Sequence, residues 1–254
     1  MYLFALALVG ILIAVALLML LNFRFLLYPF MPSLNPVTSA KHASLDGVSL
    51  FISDLHLRAD HQFQYGDAIR HLLQERGASN LIVVGDLFDS PEDGRQIVGN
   101  NTGSPIADIL GVRDMPIKAF FIEGSPGHDF RSKQRRALNL NPLVQLGRCA
   151  YLDFKQMTVI AYHGHDLSWK GMIGHAWDRF ISPLSIERAW KKLARVPESD
   201  WVIFGHTHLP GIDREHRIAN CGGWQTIPLL VRPACTGVLL SPQKASLEVV
   251  NFAR

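Results

Sequence analysis

The chain has 254 residues, of which 48% are hydrophobic and 19% are charged. This length suits one large domain or two small ones, and the apolar fraction supplies a sizeable core, so a disordered chain is excluded. Lys and Arg exceed Asp and Glu by only three, 25 against 22, and no block of five like charges occurs. Binding to nucleic acid through a basic surface is therefore not indicated.

The first segment of the chain is strongly apolar. Residues 2–21 contain no charged or strongly polar side chain, and a helix of this length spans roughly the 30 Å hydrocarbon core of a bilayer. A cleaved signal peptide would need a basic segment before the apolar run and a small-residue cleavage site after it, and neither is present. We therefore expect one transmembrane helix with an aromatic-rich interfacial collar at 25–31, so that residues 1–31 form a membrane anchor.

Three basic side chains lie near the predicted helix, Arg24, Lys41 and His42, all on its C-terminal side. The positive-inside rule then places the folded body in the cytoplasm. Pro, Ser and Thr residues at 32–44 predict a short linker, and the alternation of strands and helices after it predicts a single domain over 45–254.

Beyond the linker, short apolar runs predict five strands, at 48–52, 81–84, 118–122, 158–162 and 201–204. Each run ends in a polar segment that contains His or Asp. Ligands bind at the carboxyl ends of the strands in an α/β sheet, so the five polar loops should converge on one edge.

The helices and the end of the chain complete this pattern. Residues 67–76 and 182–195 predict helices, the first of them amphipathic. Three further runs, at 214–220, 235–240 and 245–251, predict a second, more antiparallel sheet.

The five loops combine carboxylates with imidazoles. In chain order they read Ser53-Asp54-Leu55-His56, Gly85-Asp86-Leu87-Phe88-Asp89, Pro126-Gly127-His128-Asp129, His163-Gly164-His165-Asp166 and Gly205-His206-Thr207-His208. A single histidine at the end of a strand is more often a hydrogen-bonded structural residue than a ligand, but five such loops favour a metal site. Oxygen and nitrogen donors without thiolate suit Mn, Fe, Zn, Co or Ni rather than Ca or Mg.

A site with two such cations indicates the type of reaction. Two cations about 3.5 to 4 Å apart can clamp a phosphate, acidify a water molecule between them and offset the charge that develops during an in-line displacement. We therefore predict hydrolysis of a phosphoester or pyrophosphate bond by a metal-activated water, at a site with two divalent metal ions. We expect manganese, with Fe, Zn, Co or Ni as alternatives.

The motifs D-x-H, G-D-x-x-D, a turn similar to G-N-H-D, H-G-H and G-H-x-H, in this order, resemble the signature of the calcineurin-like metallophosphoesterase superfamily. The resemblance covers about residues 45–252, and Asn220-Cys221-Gly222-Gly223-Trp224 is similar to the N-x-G segment that follows the last metal motif in many members. It implies an α/β fold, a four-layer αββα sandwich of two sheets flanked by helices, here preceded by the one transmembrane helix.

The resemblance also implies roles for individual residues. Asp54, His56 and His208 would hold the first metal, Asp86 would bridge, and His163 and His206 would hold the second. His128 and Asp129 would form a catalytic pair near the leaving group, in which Asp129 fixes the tautomer of His128. Asp89 is either an orienting residue or part of the loop structure, and His165 either contacts phosphate or lies at the surface.

One position departs from the family. Gly127 stands where the family has an Asn that binds the second metal through its amide oxygen. Either water fills the gap and the second metal binds more weakly, or Ser125 or a backbone carbonyl substitutes. The alternative is a metal-binding interaction scaffold with weakened or lost catalysis.

The anchor, the length and the helical segment before the G-H-T-H loop are most similar to the UDP-2,3-diacylglucosamine hydrolase-like branch. This implies a phosphorylated small-molecule or lipid-linked substrate at the membrane. Six apolar residues could form an acyl-accepting cap or belong to the core: Trp169, Met172, Ile173, Trp177, Phe180 and Ile181. A nuclease would need a basic stripe beside the site, and the cluster Arg131, Lys133, Arg135 and Arg136 is the one candidate.

Overall fold

The computed structural model describes residues 9–11, 13, 23–99, 105–129, 140–168, 171–225 and 234–252, without the side chains of 171 and 172. The predicted transmembrane helix at 2–21 lies almost entirely outside these residues. So do the basic cluster at 131–136 and Trp169. Within the described ranges, no helix is long and apolar enough to cross a bilayer.

Strands and helices alternate through most of the chain. The strands are β1 (Lys41–Ser44), β2 (Val48–Ile52), β3 (Ala78–Val84), β4 (Lys118–Ile122), β5 (Leu143–Gly147), β6 (Cys149–Phe154), β7 (Met157–Tyr162), β8 (Trp201–Phe204), β9 (Gly211–Asp213), β10 (Ile218–Asn220), β11 (Thr236–Ser241) and β12 (Ser246–Asn251). The α-helices are α1 (Gly66–Glu75), α2 (Pro91–Gly99), α3 (Pro105–Ile109), α4 (Gly171–Phe180) and α5 (Ser185–Leu193). Short 3-10 helices lie at Arg24–Leu27, Pro32–Leu34, Pro36–Ser39 and Pro242–Lys244.

The strands form two mixed sheets. One has the order β12-β11-β2-β3-β4-β5, in which β2 to β5 are parallel to one another and β11 is antiparallel to both β2 and β12. The other has the order β1-β6-β7-β8-β10-β9, in which β7, β8 and β10 are parallel to one another. The protein is therefore a mixed α/β fold with two sheets.

Three hydrophobic clusters show how the sheets are layered. Side chains that alternate along β2 and β3 pack in opposite directions, because successive strand residues face opposite sides of a sheet. Phe51 and Ile82 meet Val159 and Ile203 of the other sheet in the central cluster. The outer face of the first sheet packs against α1, α2 and α3, and the outer face of the second packs against α5 and the segment that contains Phe25.

Helix α1 illustrates how local sequence sets these elements. Ile69 and Leu73, four residues apart, are the fully buried positions, so one stripe of the helix faces the sheet. The helix ends before Gly77, whose positive φ of 57° is a conformation that glycine adopts without strain. The predicted span of 67–76 is confirmed to within one residue at each end.

The five predicted strands are confirmed as β2, β3, β4, β7 and β8. The five strands do not share one sheet as expected, because β2 to β4 belong to one sheet and β7 and β8 to the other, but the loops that follow them converge. The prediction of a separate antiparallel sheet is also wrong. The hairpin of β11 and β12 extends the first sheet by pairing with β2, which gives the backbone groups at that strand edge their hydrogen-bond partners.

The predicted linker contains regular secondary structure. Within 32–44, residues Lys41–Ser44 form β1, which pairs in parallel with β6. Short polar strands of this kind have no apolar pattern by which they can be predicted. In the predicted collar, Phe25 and Tyr28 are buried against α5, whereas Phe30 and Met31 are exposed.

Candidate metal centre

The predicted site residues lie in loops at the carboxyl ends of five strands. Asp54 and His56 follow β2, Asp86 follows β3, His128 and Asp129 follow β4, His163 follows β7, and His206 and His208 follow β8. Because the two sheets are stacked, loops from both reach the same end of the molecule. The structure thus brings together residues that are far apart in the chain. The backbone N–H of His206 donates a hydrogen bond to Asp54 Oδ2 at 2.9 Å, across a separation of 152 residues.

The backbone at this site is unusual. Five residues have left-handed conformations with φ between 46° and 68°: Asp54, His56, Asp86, His206 and His208. Residues with a Cβ rarely adopt this region, and each such residue costs about 1–3 kcal/mol. Strained backbone of this kind clusters at functional sites, where it directs side chains that a relaxed loop would point elsewhere.

Two groups of three side chains bring their ligand atoms within 4.8 Å of one another. The groups are Asp54 with His56 and His208, and Asp86 with His163 and His206. These are the two sets of residues that the resemblance implies. All six residues are buried, and each group combines loops from both sheets.

Asp54 connects the two groups. Its Oδ1 atom lies 3.1 Å from His163 Nε2 and 3.2 Å from His208 Nε2. His163 Nε2 is also 3.5 Å from Asp86 Oδ2. The carboxylates of Asp54 and Asp86 and the imidazoles of His163 and His208 are therefore buried together, and a cation there would compensate the buried negative charge.

Ring nitrogens without partners support a fit to cations. Nε2 of His56, Nδ1 of His163 and Nδ1 of His208 are buried and make no hydrogen bond. Buried polar atoms normally have a hydrogen-bond partner, since leaving one without a partner costs about 1–3 kcal/mol. In His163 and His208 the ring nitrogen that faces Asp54 is Nε2, and in His56 Nε2 makes no hydrogen bond, so each of the three rings has a nitrogen at the site that can bind a divalent metal ion.

The electrostatics of the second group agree with this fit. Burial, aided by the neighbouring His163, lowers the pKa of His206 to about 4, so its ring is neutral and keeps a lone pair. Burial opposes protonation of His163, but the carboxylates of Asp86 and Asp54 outweigh it and raise its pKa to about 9. A cation that binds here would replace that proton, since metal ligands must be deprotonated.

Glycine is required where the loop after β3 passes His163. Gly85 has a φ of 78°, and a Cβ at this position would lie 2.4 Å from the ring of His163. The absence of a side chain therefore lets the loop that carries Asp86 approach the loop that carries His163.

Asp129 has a different role from the one predicted. Its carboxylate accepts hydrogen bonds from the backbone N–H groups of Asp86, Leu87 and Gly124, at 3.0, 3.1 and 2.7 Å. Burial and the Asp86 carboxylate raise the pKa of Asp129 to about 7, although the hydrogen bond from Gly124 favours the charged form. Asp129 thus joins the loops after β3 and β4, and the prediction that it fixes the tautomer of His128 is wrong.

A backbone carbonyl orients His128 instead. His128 Nδ1 lies 2.6 Å from the carbonyl oxygen of Asp89, to which it donates a hydrogen bond. Its Nε2 atom then faces the metal groups, 4.0 Å from Asp86 Oδ2. His128 also forms a third candidate group with His56 and Asp89.

Asp89 and His165, for each of which the sequence left two roles open, differ in their surroundings. Asp89 Oδ1 lies 3.5 Å from His56 Nδ1 and accepts a hydrogen bond from Gln225 Nε2 at 2.9 Å, so it can orient His56. His165 lies beside the site rather than in either group. Burial lowers its pKa to about 3, and its neutral Nε2 accepts a hydrogen bond from the Arg148 guanidinium at 2.6 Å.

Several supporting residues were not predicted as part of the site. The carbonyl of Ser168 accepts a hydrogen bond from Nε2 of His206 at 3.0 Å, which leaves Nδ1 of that ring with the lone pair. Between His206 and His208, the Thr207 hydroxyl donates to the buried Glu187 carboxyl at 3.1 Å, and Asn220 donates to the same oxygen at 3.0 Å. Only Asn220 had a signal in the sequence, because it opens the N-x-G segment.

There is free space at Gly127, where the family has the Asn ligand. A Cβ built on Gly127 would meet no atom within 4 Å, so a larger side chain fits there. Ser125 instead donates to the Asp86 carboxylate through its N–H, at 2.5 Å, and through its hydroxyl, at 3.1 Å. Ser125 therefore holds the carboxylate that serves the second group.

Comparison with known proteins agrees with this geometry. A family model described as the calcineurin-like phosphoesterase superfamily domain matches residues 49–239. The chain belongs to this superfamily. The predicted family is thus confirmed, and with it a metallophosphoesterase enzyme that depends on divalent metal ions.

Individual relatives of this metallophosphoesterase were also found. It is 26% identical over 210 residues to a UDP-2,3-diacylglucosamine hydrolase of Hamiltonella defensa, with 65% of this chain and 78% of that protein covered. Among solved structures it is similar to Vps29 of Entamoeba histolytica in complex with zinc, with a TM-score of 0.44, 14% identity and 81% and 99% of the two chains covered. It is also similar to the phosphoesterase Yfce of E. coli, with a TM-score of 0.41, 16% identity and 81% and 100% covered.

Asp129→Ala should destabilise the fold, because it leaves three buried N–H groups without an acceptor, each at a cost of about 1–3 kcal/mol. His128→Ala is the matched control. It removes the neighbouring side chain, which is 36% exposed, and we expect a change below about 1 kcal/mol. Urea denaturation of both variants measures the difference. Equal destabilisation by the two variants would contradict the separate roles described above.

Gly127→Asn should raise the affinity for the second metal ion by about tenfold or more, since the site gains a ligand and the amide has room to enter. Gly99→Asn is the matched control, because a Cβ there also meets no atom within 4 Å, far from the site in sequence and at the end of α2. Isothermal titration of each metal-free protein with Mn²⁺ gives the affinity. Unchanged binding in Gly127→Asn would show that Ser125 or the backbone already completes the site.

Proposed function

We propose that this metallophosphoesterase hydrolyses a pyrophosphate or phosphodiester bond in a membrane-associated nucleotide-sugar lipid. The observation that carries the proposal is the pair of buried carboxylate–imidazole groups that Asp54 connects. Two divalent cations, which we propose to be manganese, would supply Lewis acidity and an acidified water for attack on phosphorus.

We assign the six metal-binding residues to two cations. Asp54, His56 and His208 would hold one cation, and Asp86, His163 and His206 the other, with Asp86 bridging. All six side chains are buried, so the surrounding protein fixes their positions. A preorganised site of this kind stabilises developing charge without reorganisation during the reaction.

We propose that His128 acts on the leaving group. Its hydrogen bond to the Asp89 carbonyl holds the ring by Nδ1, so Nε2 is the atom available to a substrate. The side chain is 36% exposed, whereas the carboxylate of Asp86 beside it is nearly inaccessible. In its protonated form, Nε2–H can donate to the departing oxygen, which is the work of a general acid.

The lipid-linked substrate is supported by similarity and by the apolar N-terminus. The Hamiltonella relative is a UDP-2,3-diacylglucosamine hydrolase, and residues 2–21 have the length and composition of a single membrane span. We propose that this span holds the catalytic domain at the cytoplasmic face of a membrane. Anchoring there would raise the effective concentration of a lipid substrate at the site.

A second candidate function rests on Gly127. Without the amide ligand, the second cation would be held by three side chains, and weak binding would leave a metal-binding scaffold that recruits a partner. The contacts from Ser125 to Asp86 favour the enzyme, because they keep the carboxylate of the second group in place. Metal content and turnover, measured on the same sample, separate the two functions.

Asp86→Ala should abolish hydrolysis of bis(p-nitrophenyl) phosphate and lower the bound metal from two ions to one or none, because it removes the bridging carboxylate. Asp46→Ala, which removes an exposed carboxylate before β2, is the control and should behave as wild type. Turnover with added Mn²⁺ and elemental analysis are the measurements. A wild-type protein that carries two metal ions but turns over none of a broad phosphoester panel would contradict the enzymatic proposal. The scaffold proposal instead expects one bound metal ion at most, without turnover.

UDP-2,3-diacylglucosamine in mixed micelles should be hydrolysed with a higher kcat/KM than bis(p-nitrophenyl) phosphate, because the proposed site also uses binding energy from the nucleotide and acyl groups. The deacylated UDP-sugar is the control for the acyl contribution. If all three compounds are hydrolysed with the same kcat/KM, the enzyme acts on phosphoesters but the proposal of a lipid-linked substrate is wrong.

A further inference from the structure

Helix α4 presents an unusual distribution of side chains. Its exposed side carries the apolar residues Ile173, Trp177 and Phe180. Ile181 follows on the same side, and its N–H donates a hydrogen bond to the Trp177 carbonyl, which continues the helix. Phe180 is 76% exposed and Ile181 66% exposed. The predicted alternatives for these residues included plain core, and that alternative is wrong.

The buried face of α4 is polar. His175 donates from Nδ1 to the carbonyl of Thr207 at 2.8 Å. Asp178 accepts from the N–H groups of Ser185 and Ile186 at the start of α5. A helix at the surface of a water-soluble protein turns its apolar side to the core and its polar side to water. Helix α4 does the reverse, which is the pattern expected of a helix whose outer side contacts an apolar partner.

Exposed apolar side chains are concentrated in two segments of the chain, one of which includes helix α4. Among the described residues from 23 onward, nine large hydrophobic side chains are exposed, and seven of them lie in two segments, 30–34 and 173–181. Single exposed apolar residues are common, but such grouping marks an interaction surface. We call these seven residues the apolar rim.

The start of the folded domain is fixed beside this rim. The Phe23 ring packs edge-on against Trp177, with centroids 5.8 Å apart. A few residues later, the Tyr28 hydroxyl donates to Asp166 at 3.1 Å and accepts from Trp190 at 3.2 Å. The apolar run at 2–21 therefore ends two residues before a side chain that is attached to α4.

We propose that the apolar rim lies in the interfacial layer of a lipid bilayer, with the outer stripe of α4 inserted among the headgroups. The proposal rests on the membrane attachment proposed above and adds the orientation of the domain. The occupant follows from the 20-residue apolar run, which would enter the bilayer next to Phe23 and bring the rim to its surface. Arg24 and Arg179, both exposed, are placed to contact anionic lipid headgroups.

This orientation brings the metal centre close to the lipid. The inner side of α4 contacts Thr207, which lies between the metal-group residues His206 and His208. Since a helix with its side chains is about 10–12 Å across, lipid and metal centre would be separated by little more than one helix. A substrate with acyl chains could present its phosphates to the site while its chains remain in the bilayer.

The test places a nitroxide label at Phe180→Cys in the full-length protein, reconstituted into phosphatidylethanolamine–phosphatidylglycerol vesicles. The matched control is Val249→Cys, an exposed apolar position on β12. The three native cysteines are buried, so labelling is confined to the introduced thiol. Power saturation then compares collisions with oxygen, which concentrates in lipid, and with a water-soluble nickel chelate.

We expect oxygen to relax the label at 180 more than the nickel chelate does, and the reverse order at 249. Equal access of the chelate to both labels would overturn the proposal, since it places the rim in water. Protection of the label at 180 from both reagents would also overturn it, in favour of a protein partner. The readout needs neither bound metal nor turnover, so failure of this proposal can be distinguished from failure of the hydrolase proposal.

Discussion

The carboxylate of Asp54 connects the two sheets. It follows β2 in one sheet and contacts His163, His206 and His208, which follow β7 and β8 in the other. A carboxylate so fully buried is stable only beside positive charge, and the histidines hold its pKa well below the usual range although burial acts in the opposite direction. The arrangement of the loops, and the chemistry they support, depend on that compensation.

Much of this architecture could be predicted from the sequence. The strands before the five motifs are short apolar runs, and a polar residue directly after such a run must lie at the end of a sheet. The pattern does not reveal which strands pair, because backbone hydrogen bonds are the same for every neighbour. For that reason the motifs were expected on one sheet, and the antiparallel hairpin at the end of the chain was expected in the other.

Side-chain roles were harder to predict than positions. His128 and Asp129 are adjacent in sequence, which suggested a pair, but neighbouring residues in a turn point in different directions, and Asp129 binds backbone N–H groups while His128 binds a carbonyl. Glu187 reads as an ordinary surface residue of a charged helix, yet it is buried behind Thr207. Periodicity likewise gives two faces for α4 but not which of them is inside.

The left-handed backbone at five of the metal-group residues has a consequence for how such a chain can change. Glycine would relax the turns at His56, His206 and His208, and it would delete a side chain that the chemistry needs. At Asp54 and Asp86 the carboxylate also accepts buried hydrogen bonds, so glycine there would lower stability. Selection for thermal robustness and selection for turnover therefore act in opposite directions at the three histidines. A descendant that lost its substrate would be expected to accumulate glycine there first, and to gain stability as it did so.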